Sequence, residues 1–89
     1  MRVAVTEVEI WSRTIRPETG GFSAAAAREL LGLRLADDDQ QRVRELSSKA
    51  NAGSLSGEEA QELDSYLNVG RALEFLKAKA RLSLREAAA

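Results

Sequence analysis

The sequence predicts an all-α fold, a small bundle of about four helices with a short extended N-terminal segment and a long C-terminal helix. Alanine, leucine, glutamate and arginine, which are good helix formers, are abundant. Only 4% of the residues are aromatic although 44% are hydrophobic, so we expect a core of leucine, alanine and valine. Such a core suits helix packing better than a β-sandwich. The single proline, Pro17, lies early in the chain.

Length and composition limit the class of protein further. The 89 residues fit one domain over 1–89, with an extended lead over 1–6 and a frayed tail over 86–89. The sequence has no cysteine, which excludes disulfides and thiolate chemistry. Its longest apolar run, Ala24–Ala27, is far shorter than the ~20 residues of a membrane span. We expect a cytoplasmic protein that does not enter a membrane.

The net charge of −1 is spread unevenly along the chain. Residues 1–36 carry five basic against four acidic side chains, and residues 37–66 carry three against eight. Residues 67–89 carry five against two, so a basic end follows an acidic middle. Such a pattern favours contact between chains or a polar interaction face. A dedicated nucleic-acid binder is usually basic overall, and this chain is not.

The first predicted helix spans about residues 7–15. Thr6 is placed to cap its start, and Glu9, three residues later, completes a capping box. In the preceding lead, Val3 and Val5 instead favour a strand. We therefore predict a short extended lead followed by a helix.

Trp11 is the only tryptophan, and it lies on this first helix. Val8, Trp11 and Ile15 are spaced as one helical face, which predicts that Trp11 anchors the core. Tryptophan is also enriched at binding hot spots, which makes Trp11 a candidate partner contact. The sequence leaves both interpretations open.

A second helix is predicted over about residues 24–34. Pro17 and the pair Gly20-Gly21 end the first helix in a turn, and Ser23 is then a candidate N-cap. The apolar residues at helical spacing in this region are Ala27, Leu30, Leu31 and Leu35.

A third helix is predicted over about residues 38–51. Asp37–Asp39 favour a helix start, because carboxylates there interact well with the helix dipole, and Gly53 suits the position after its end. These acids could also bind a hard cation, but the alternating spacing of a calcium loop is absent. Its apolar residues at helical spacing are Val43, Leu46 and Ala50.

The last helix is predicted from the capping box of Ser56 and Glu59 to about Arg85. Such a helix is about 43 Å long, whereas a globule of this chain length is about 31 Å across. We expect the helix either to bend near Gly70 or to project beyond its own core. A projecting end would display apolar side chains for another chain to cover. The predicted partner-binding residues there are Phe75, Leu76, Leu82 and Leu84.

The same helix carries a basic stripe at Lys77, Arg81 and Arg85, with Arg71 and Lys79 nearby. The stripe could contact nucleic acid or an acidic protein surface. It could equally complement the negative end of the helix dipole. Both interpretations remain open at this point.

Residues for common enzyme chemistry are missing. The sequence has no histidine and no cysteine, which removes the usual proton-transfer groups near neutral pH and the usual zinc ligands. No serine can therefore pair with a histidine, and no spacing favours a serine–lysine pair. We predict a protein that is not an enzyme, with no catalytic residue, cofactor, metal or small-molecule substrate.

Short stretches between residues 8 and 85 resemble, in their order, a group of short uncharacterised bacterial α-helical proteins, which are often encoded beside a small nuclease-like protein of the HNH type. The resemblance implies a partner-binding role such as that of an inhibitor or antitoxin. It carries over no catalytic residue. The stretches are Ile10-Trp11-Ser12-Arg13, Arg16-Pro17-Glu18, Gly21-Phe22-Ser23, Ala26-Ala27-Arg28, Glu45-Leu46, Ala50-Asn51-Ala52-Gly53, Glu62-Leu63-Asp64-Ser65-Tyr66-Leu67 and Lys79-Ala80-Arg81-Leu82-Ser83-Leu84.

Three hypotheses follow for function. The first is a non-catalytic module that binds another protein. The second is a nucleic-acid-binding regulator that pairs through an N-terminal strand, as ribbon-helix-helix repressors do, although the break from Pro17 to Gly21 interrupts the helix that such folds place next. The third is a structural homo-oligomer joined by the last helix.

Overall fold

The chain folds into four helices within residues 4–88, the part that the computed structural model describes. They are α1 (Glu7–Ile15), α2 (Ala24–Leu31), α3 (Asp37–Asn51) and α4 (Gly57–Ala88). Residues 4–88 contain no strand, so the predicted all-α class with a long C-terminal helix is confirmed. The predicted strand residue Val3 and the end of the predicted tail lie outside the described part. No helix in residues 4–88 is long and apolar enough to cross a membrane.

Local capping interactions begin three of these helices as predicted. At α1, the Thr6 hydroxyl accepts from the Glu9 amide at 3.2 Å, and the Glu9 carboxylate accepts from the Thr6 amide at 3.4 Å. Ser56 and Glu59 form the same reciprocal pair at α4, at 3.1 and 3.0 Å. Ser23 caps α2. These contacts satisfy amide groups that have no partner within the helix.

The helix ends depart from the predicted bounds by a few residues. α2 ends at Leu31 rather than near residue 34, and α4 continues to Ala88, so residues 86–88 of the predicted frayed tail are helical. α1 ends at Ile15, and its C-cap Arg16, directly before Pro17, has a φ of 57° in the left-handed region. The chain thus turns sharply where proline disfavours a helical backbone in the preceding residue.

The turn after α3 is a Schellman motif. The amide of Ser54 donates to the carbonyl of Lys49 at 2.9 Å, and the amide of Gly53 donates to the carbonyl of Ala50 at 3.1 Å. Gly53 has a φ of +70°, a conformation that glycine adopts without steric cost. The predicted glycine position after the helix is therefore confirmed.

The described chain divides into two compact units. One contains residues 4–33 together with residues 70–88, and the other is Arg34–Val69. The sequence predicted a single domain over residues 1–89. α4 contributes residues to both units.

The unit Arg34–Val69 is a helical hairpin around Leu46, which has no exposed surface. Val43, predicted to share its row, is half-buried, whereas Ala50 of the same predicted row is exposed. The Tyr66 hydroxyl donates to the Asp39 carboxylate at 2.7 Å. The unit therefore buries one leucine and holds its flanks with polar contacts.

Arg42 is the centre of those polar contacts. Its guanidinium donates two hydrogen bonds to the Glu62 carboxylate, each at 2.8 Å, and a third to Glu45 at 3.2 Å. These bonds, that to Glu62 foremost, raise the pKa of Arg42 and lower that of Glu62. The forked geometry fixes the direction of both side chains as well as their charge.

Glu59 joins the same cluster through Lys49, whose ammonium donates to its carboxylate. That hydrogen bond, helped by the Ser56 amide at the helix cap, lowers the pKa of Glu59 from 4.5 to about 2. Glu59 therefore caps α4 and joins it to α3 with one carboxylate.

We predict that Glu59→Gln removes part of the acid sensitivity of the fold. A carboxyl whose pKa is lower in the folded chain stabilises it above pH 4.5 and loses that contribution as the pH falls toward 2. Urea unfolding followed by circular dichroism across this range should show a steep fall for the parent chain and a shallower one for Glu59→Gln. Glu58→Gln, which removes an exposed neighbour outside these ion pairs, should keep the parent slope. If the unfolding free energies of all three chains fell in parallel with pH, Glu59 would not be a source of the acid sensitivity.

We predict that Gly70→Ala stabilises the chain by about 0.5–1 kcal/mol, because alanine is the better helix former and loses less backbone entropy. A Cβ atom at Gly70 would meet no atom within 4 Å, so close helix approach is not the reason for this glycine. Gly53→Ala, at a positive φ, should instead destabilise by about 1–2 kcal/mol. Thermal unfolding of both variants tests these two predictions. A change in stability of the same sign in both variants would contradict them.

Candidate partner-binding surface

The loop between α1 and α2 is fixed to α4 by the hydroxyl of Ser83. This hydroxyl, in a side chain that is almost fully buried, accepts from the amide of Phe22 at 3.1 Å and donates to the carbonyl of Lys79 at 2.7 Å. Ala80, one helical turn earlier on the same face, has no exposed surface. The loop backbone can therefore be buried here without leaving its amide unpaired.

Lys79 holds the same loop from the other end. Its ammonium donates to the carbonyl and the hydroxyl of Thr19 at 3.2 and 3.0 Å, and lies 3.5 Å from the carbonyl of Arg16. It also lies 5.3 Å from the centre of the Phe22 ring, within the range of a cation–π contact. Lys79 was a predicted electrostatic contact for a partner, but the structure commits its charge to the chain's own loop.

The fixed loop leaves α1 beside α4 with an open groove between them. This α1–α4 groove has a volume of about 420 Å³, and most of its surface is apolar. Phe75, a predicted partner-binding residue, contributes from α4 and is half-buried. The residues that line it are Val8, Glu9, Ser12, Arg13 and Phe75.

Trp11 is exposed on the side of α1 away from this groove, and the prediction that it anchors the core is wrong. Its exposed fraction is 39%, whereas Ile15 is buried. Val8 and Ile15 are seven residues apart and lie almost in line along the helix, and Trp11 and Ser12 flank that line on opposite sides. The groove lies on the Ser12 side, which leaves Trp11 toward solvent with Ile10, exposed by 52%.

The sequence predicted that α4 either bends near Gly70 or ends in a projecting apolar surface, and the apolar side chains predicted for that surface are half-buried in the structure. Residues from Gly70 onward share a unit with those up to Leu33. Leu76 and Leu84 lie one turn before and one turn after Ala80, on its buried face, and both are half-buried. These two leucines therefore belong beside the unit's own core. Leu82 is half-buried on the face that it shares with Phe75.

The remaining predicted basic residues separate into two groups. Arg71, Arg81 and Arg85 are exposed, while Lys77 is half-buried. None of the four forms an ion pair with another residue in 4–88. Arg85 lies in the last turn of α4, where a cation complements the helix dipole. Arg71 lies about five turns before that end, where the dipole gives no such benefit.

The acidic residues at the start of α3 have structural roles. Asp37–Asp39 occupy the first turn of α3, and Asp39 accepts from Tyr66. Across residues 4–88, no group of three or more acidic side chains is arranged to hold a metal ion.

Sequence reasoning missed the structural roles of Ser83, Phe22 and Arg42. Ser83 does carry a signal, because it is a small polar residue within an apolar stripe of α4. Nothing in the sequence indicates that its partner is an amide 61 residues away. Arg42 likewise carries no sequence feature that selects Glu62 over the other acids of the region.

We predict that Ser83→Ala destabilises the chain by about 1–3 kcal/mol, because the partly buried amide of Phe22 loses its acceptor. Ser65→Ala is the matched control, since its exposed hydroxyl only donates to the carbonyl of Gln61. We expect that control to stay within about 0.5 kcal/mol of the parent. Chemical unfolding measures both, and amide hydrogen exchange should show lost protection at Phe22. A neutral Ser83→Ala would contradict the anchoring role.

Comparison of the chain with protein-family models, with curated protein sequences and with solved structures finds no match. The resemblance to short bacterial helical proteins therefore stays a prediction. The features that bear on function are the α1–α4 groove, the exposed Ile10 and Trp11, and the exposed charged residues of α4.

Proposed function

We propose that this chain is a non-catalytic protein-binding module that contacts its partner through α1, which lines the α1–α4 groove on one side and exposes Ile10 and Trp11 on the other. One observation carries the proposal: α1 leaves a tryptophan and an isoleucine exposed, and its other side lines an open, mostly apolar groove. A partner side chain in the groove would contact Phe75 and Val8. Trp11 and Ile10 would lose their exposed surface where the partner covers the other side of α1.

The energetics of binding favour this surface. Burying apolar surface contributes about 25 cal/mol per Å², and tryptophan is among the residues most enriched at binding hot spots. The Ser83 and Lys79 contacts fix the loop between α1 and α2 and so limit the entropy lost when a partner binds. The resemblance to bacterial helical proteins extends the proposal to an inhibitor or antitoxin-like partner of a second protein.

Nucleic-acid binding is the second candidate, favoured by Arg71, Arg81 and Arg85, which are exposed and form no ion pair within residues 4–88. Two observations oppose it. The net charge is −1, and the described part of the predicted N-terminal strand, residues 4–6, has no strand structure. A homo-oligomer is the third candidate, and the experiment below separates it from the others.

We predict that the tagged chain captures one protein from the lysate of its own host, with or without nuclease treatment. Ile10→Gln with Trp11→Gln should weaken that capture about 30-fold, as expected for a hot spot of about 2 kcal/mol. Leu67→Gln is the matched control, because Leu67 is 44% exposed and lies in the other unit. It should bind like the parent.

Three outcomes would contradict the proposal. Capture that disappears with nuclease would indicate a nucleic-acid regulator. Recovery of the bait alone, with a defined homo-oligomer by light scattering, would indicate a structural assembly. A partner that binds the Ile10/Trp11 variant as tightly as the parent would place the contact elsewhere.

A further inference from the structure

We infer that α4 opens locally at its centre while the rest of the chain stays folded, so that this long helix contains a hinge. The hinge lies around Gly70, in the central segment of α4, which is residues 67–71. The opening needs no partner, so it goes beyond the proposed function and is tested separately from it.

The residues that lead into this segment favour a helix weakly. Of residues 64–70, only Leu67 is a good helix former, whereas the others are aspartate, serine, tyrosine, asparagine, valine and glycine. Glycine is the weakest of them, because it loses the most backbone freedom and brings no side chain to pack. From residue 71 to residue 82, every residue except Phe75 is a good helix former. The least favourable stretch of α4 therefore ends at Gly70.

Hydrogen bonds between side chains and other elements hold α4 on both sides of the central segment but not within it. Before the segment, the Tyr66 hydroxyl donates to the Asp39 carboxylate of α3 at 2.7 Å. After it, the next α4 side chain in the described chain that hydrogen-bonds to another element is Lys79, which holds Thr19. The backbone between these two anchors therefore depends mainly on its own helical hydrogen bonds.

The central segment also has little apolar surface to lose. Leu67 and Val69 are exposed by 44% and 49%, and Arg71 is exposed as well. Because these side chains are already in contact with water, opening a turn here gives up little hydrophobic stabilisation. Few buried contacts and an exposed backbone are the features of a segment that opens locally.

Other reasons for a glycine inside a helix do not apply to Gly70. A Cβ atom at this position would meet no atom within 4 Å, so no neighbouring element needs the space. The glycine does not end the helix, because α4 continues to Ala88. Among the glycines, a positive φ is found at Gly21 and Gly53 but not at Gly70. A tolerance for changes in helix direction is the property that remains.

The position of the hinge coincides with the division of the chain. The two compact units are separated between Val69 and Gly70, and their other covalent connection is between Leu33 and Arg34. That second connection lies in residues 33–36, which are not helical. Opening at Gly70 therefore interrupts neither unit.

The candidate binding surface is unaffected by the opening. All residues that line the α1–α4 groove belong to the unit of residues 4–33 and 70–88. The groove can therefore keep its shape while the centre of α4 opens.

Amide hydrogen exchange of the full chain, followed residue by residue by NMR, tests the hinge. In a helix the amides of residues 71–74 donate to the carbonyls of residues 67–70, so they exchange when the central segment opens. Their protection factors should be about tenfold lower than those of the Ala80 and Ser83 amides, which belong to buried residues. Low concentrations of urea should leave the exchange of residues 71–74 nearly unchanged, because a local opening exposes little surface.

Gly70→Ala supplies the specific variant. It should slow the exchange of residues 71–74 about fivefold, because alanine favours the closed helix. Gly57→Ala is the matched control, since Gly57 is the first residue of the same helix and an added Cβ there would also meet no atom within 4 Å. The control should leave the exchange of residues 71–74 at the parent's rate. Circular dichroism checks that both variants are folded.

Three outcomes would overturn the inference. The first is equal protection and equal urea dependence along the whole of α4, which would mean that the helix opens only when the chain unfolds. The second is a Gly70→Ala variant in which residues 71–74 exchange as fast as in the parent. The third is an equal slowing by Gly57→Ala. Because no partner takes part in these measurements, failure of the hinge leaves the proposed function standing, and failure to capture a protein leaves the hinge standing.

Discussion

The hydroxyl of Ser83 is the contact on which the candidate surface depends. It accepts a hydrogen bond from the amide of Phe22 and donates one to a carbonyl of its own helix, so both the loop amide and the buried hydroxyl are paired. Lys79 then holds the carbonyl and hydroxyl of Thr19. With the loop fixed at both ends, α1 lies beside α4 and the groove between them stays open. Loss of the serine would affect that arrangement before it affected any single binding residue.

The two units are stabilised in different ways. The unit Arg34–Val69 has one fully buried large side chain, Leu46, and surrounds it with charge-assisted hydrogen bonds centred on Arg42. Exposed ion pairs contribute little individually, but a forked arginine–carboxylate pair also fixes geometry. In the unit that carries the groove, small residues such as Ala27 and Ala80 allow close approach, and the polar anchors hold backbone rather than other charges. In residues 4–88, the arginines on the α4 part of that unit form no ion pair.

The basic residues of α4 show why a charge pattern alone does not define a site. Lys77, Lys79, Arg81 and Arg85 look equivalent in the sequence, yet Lys79 is used inside the molecule. Arg85 complements the negative end of the helix dipole. Arg71 is exposed about five turns before that end and has no ion pair within residues 4–88. Charges that look alike in the sequence therefore have different surroundings once the chain is folded.

The sequence by itself determined the all-α class and the starts of the helices. Capping boxes at Thr6 and Ser56 and the glycine after α3 act within a few residues, so their effect can be read locally. Only the tertiary structure decided which apolar residues became core. Trp11 and Ser12 lie on opposite sides of the line from Val8 to Ile15, and the position of α4 determined that Ser12 faces the groove. The hydrogen bond between Ser83 and Phe22 likewise joins residues 61 positions apart. Such a contact depends on how the helices pack, so no spacing of residues in the sequence indicates it.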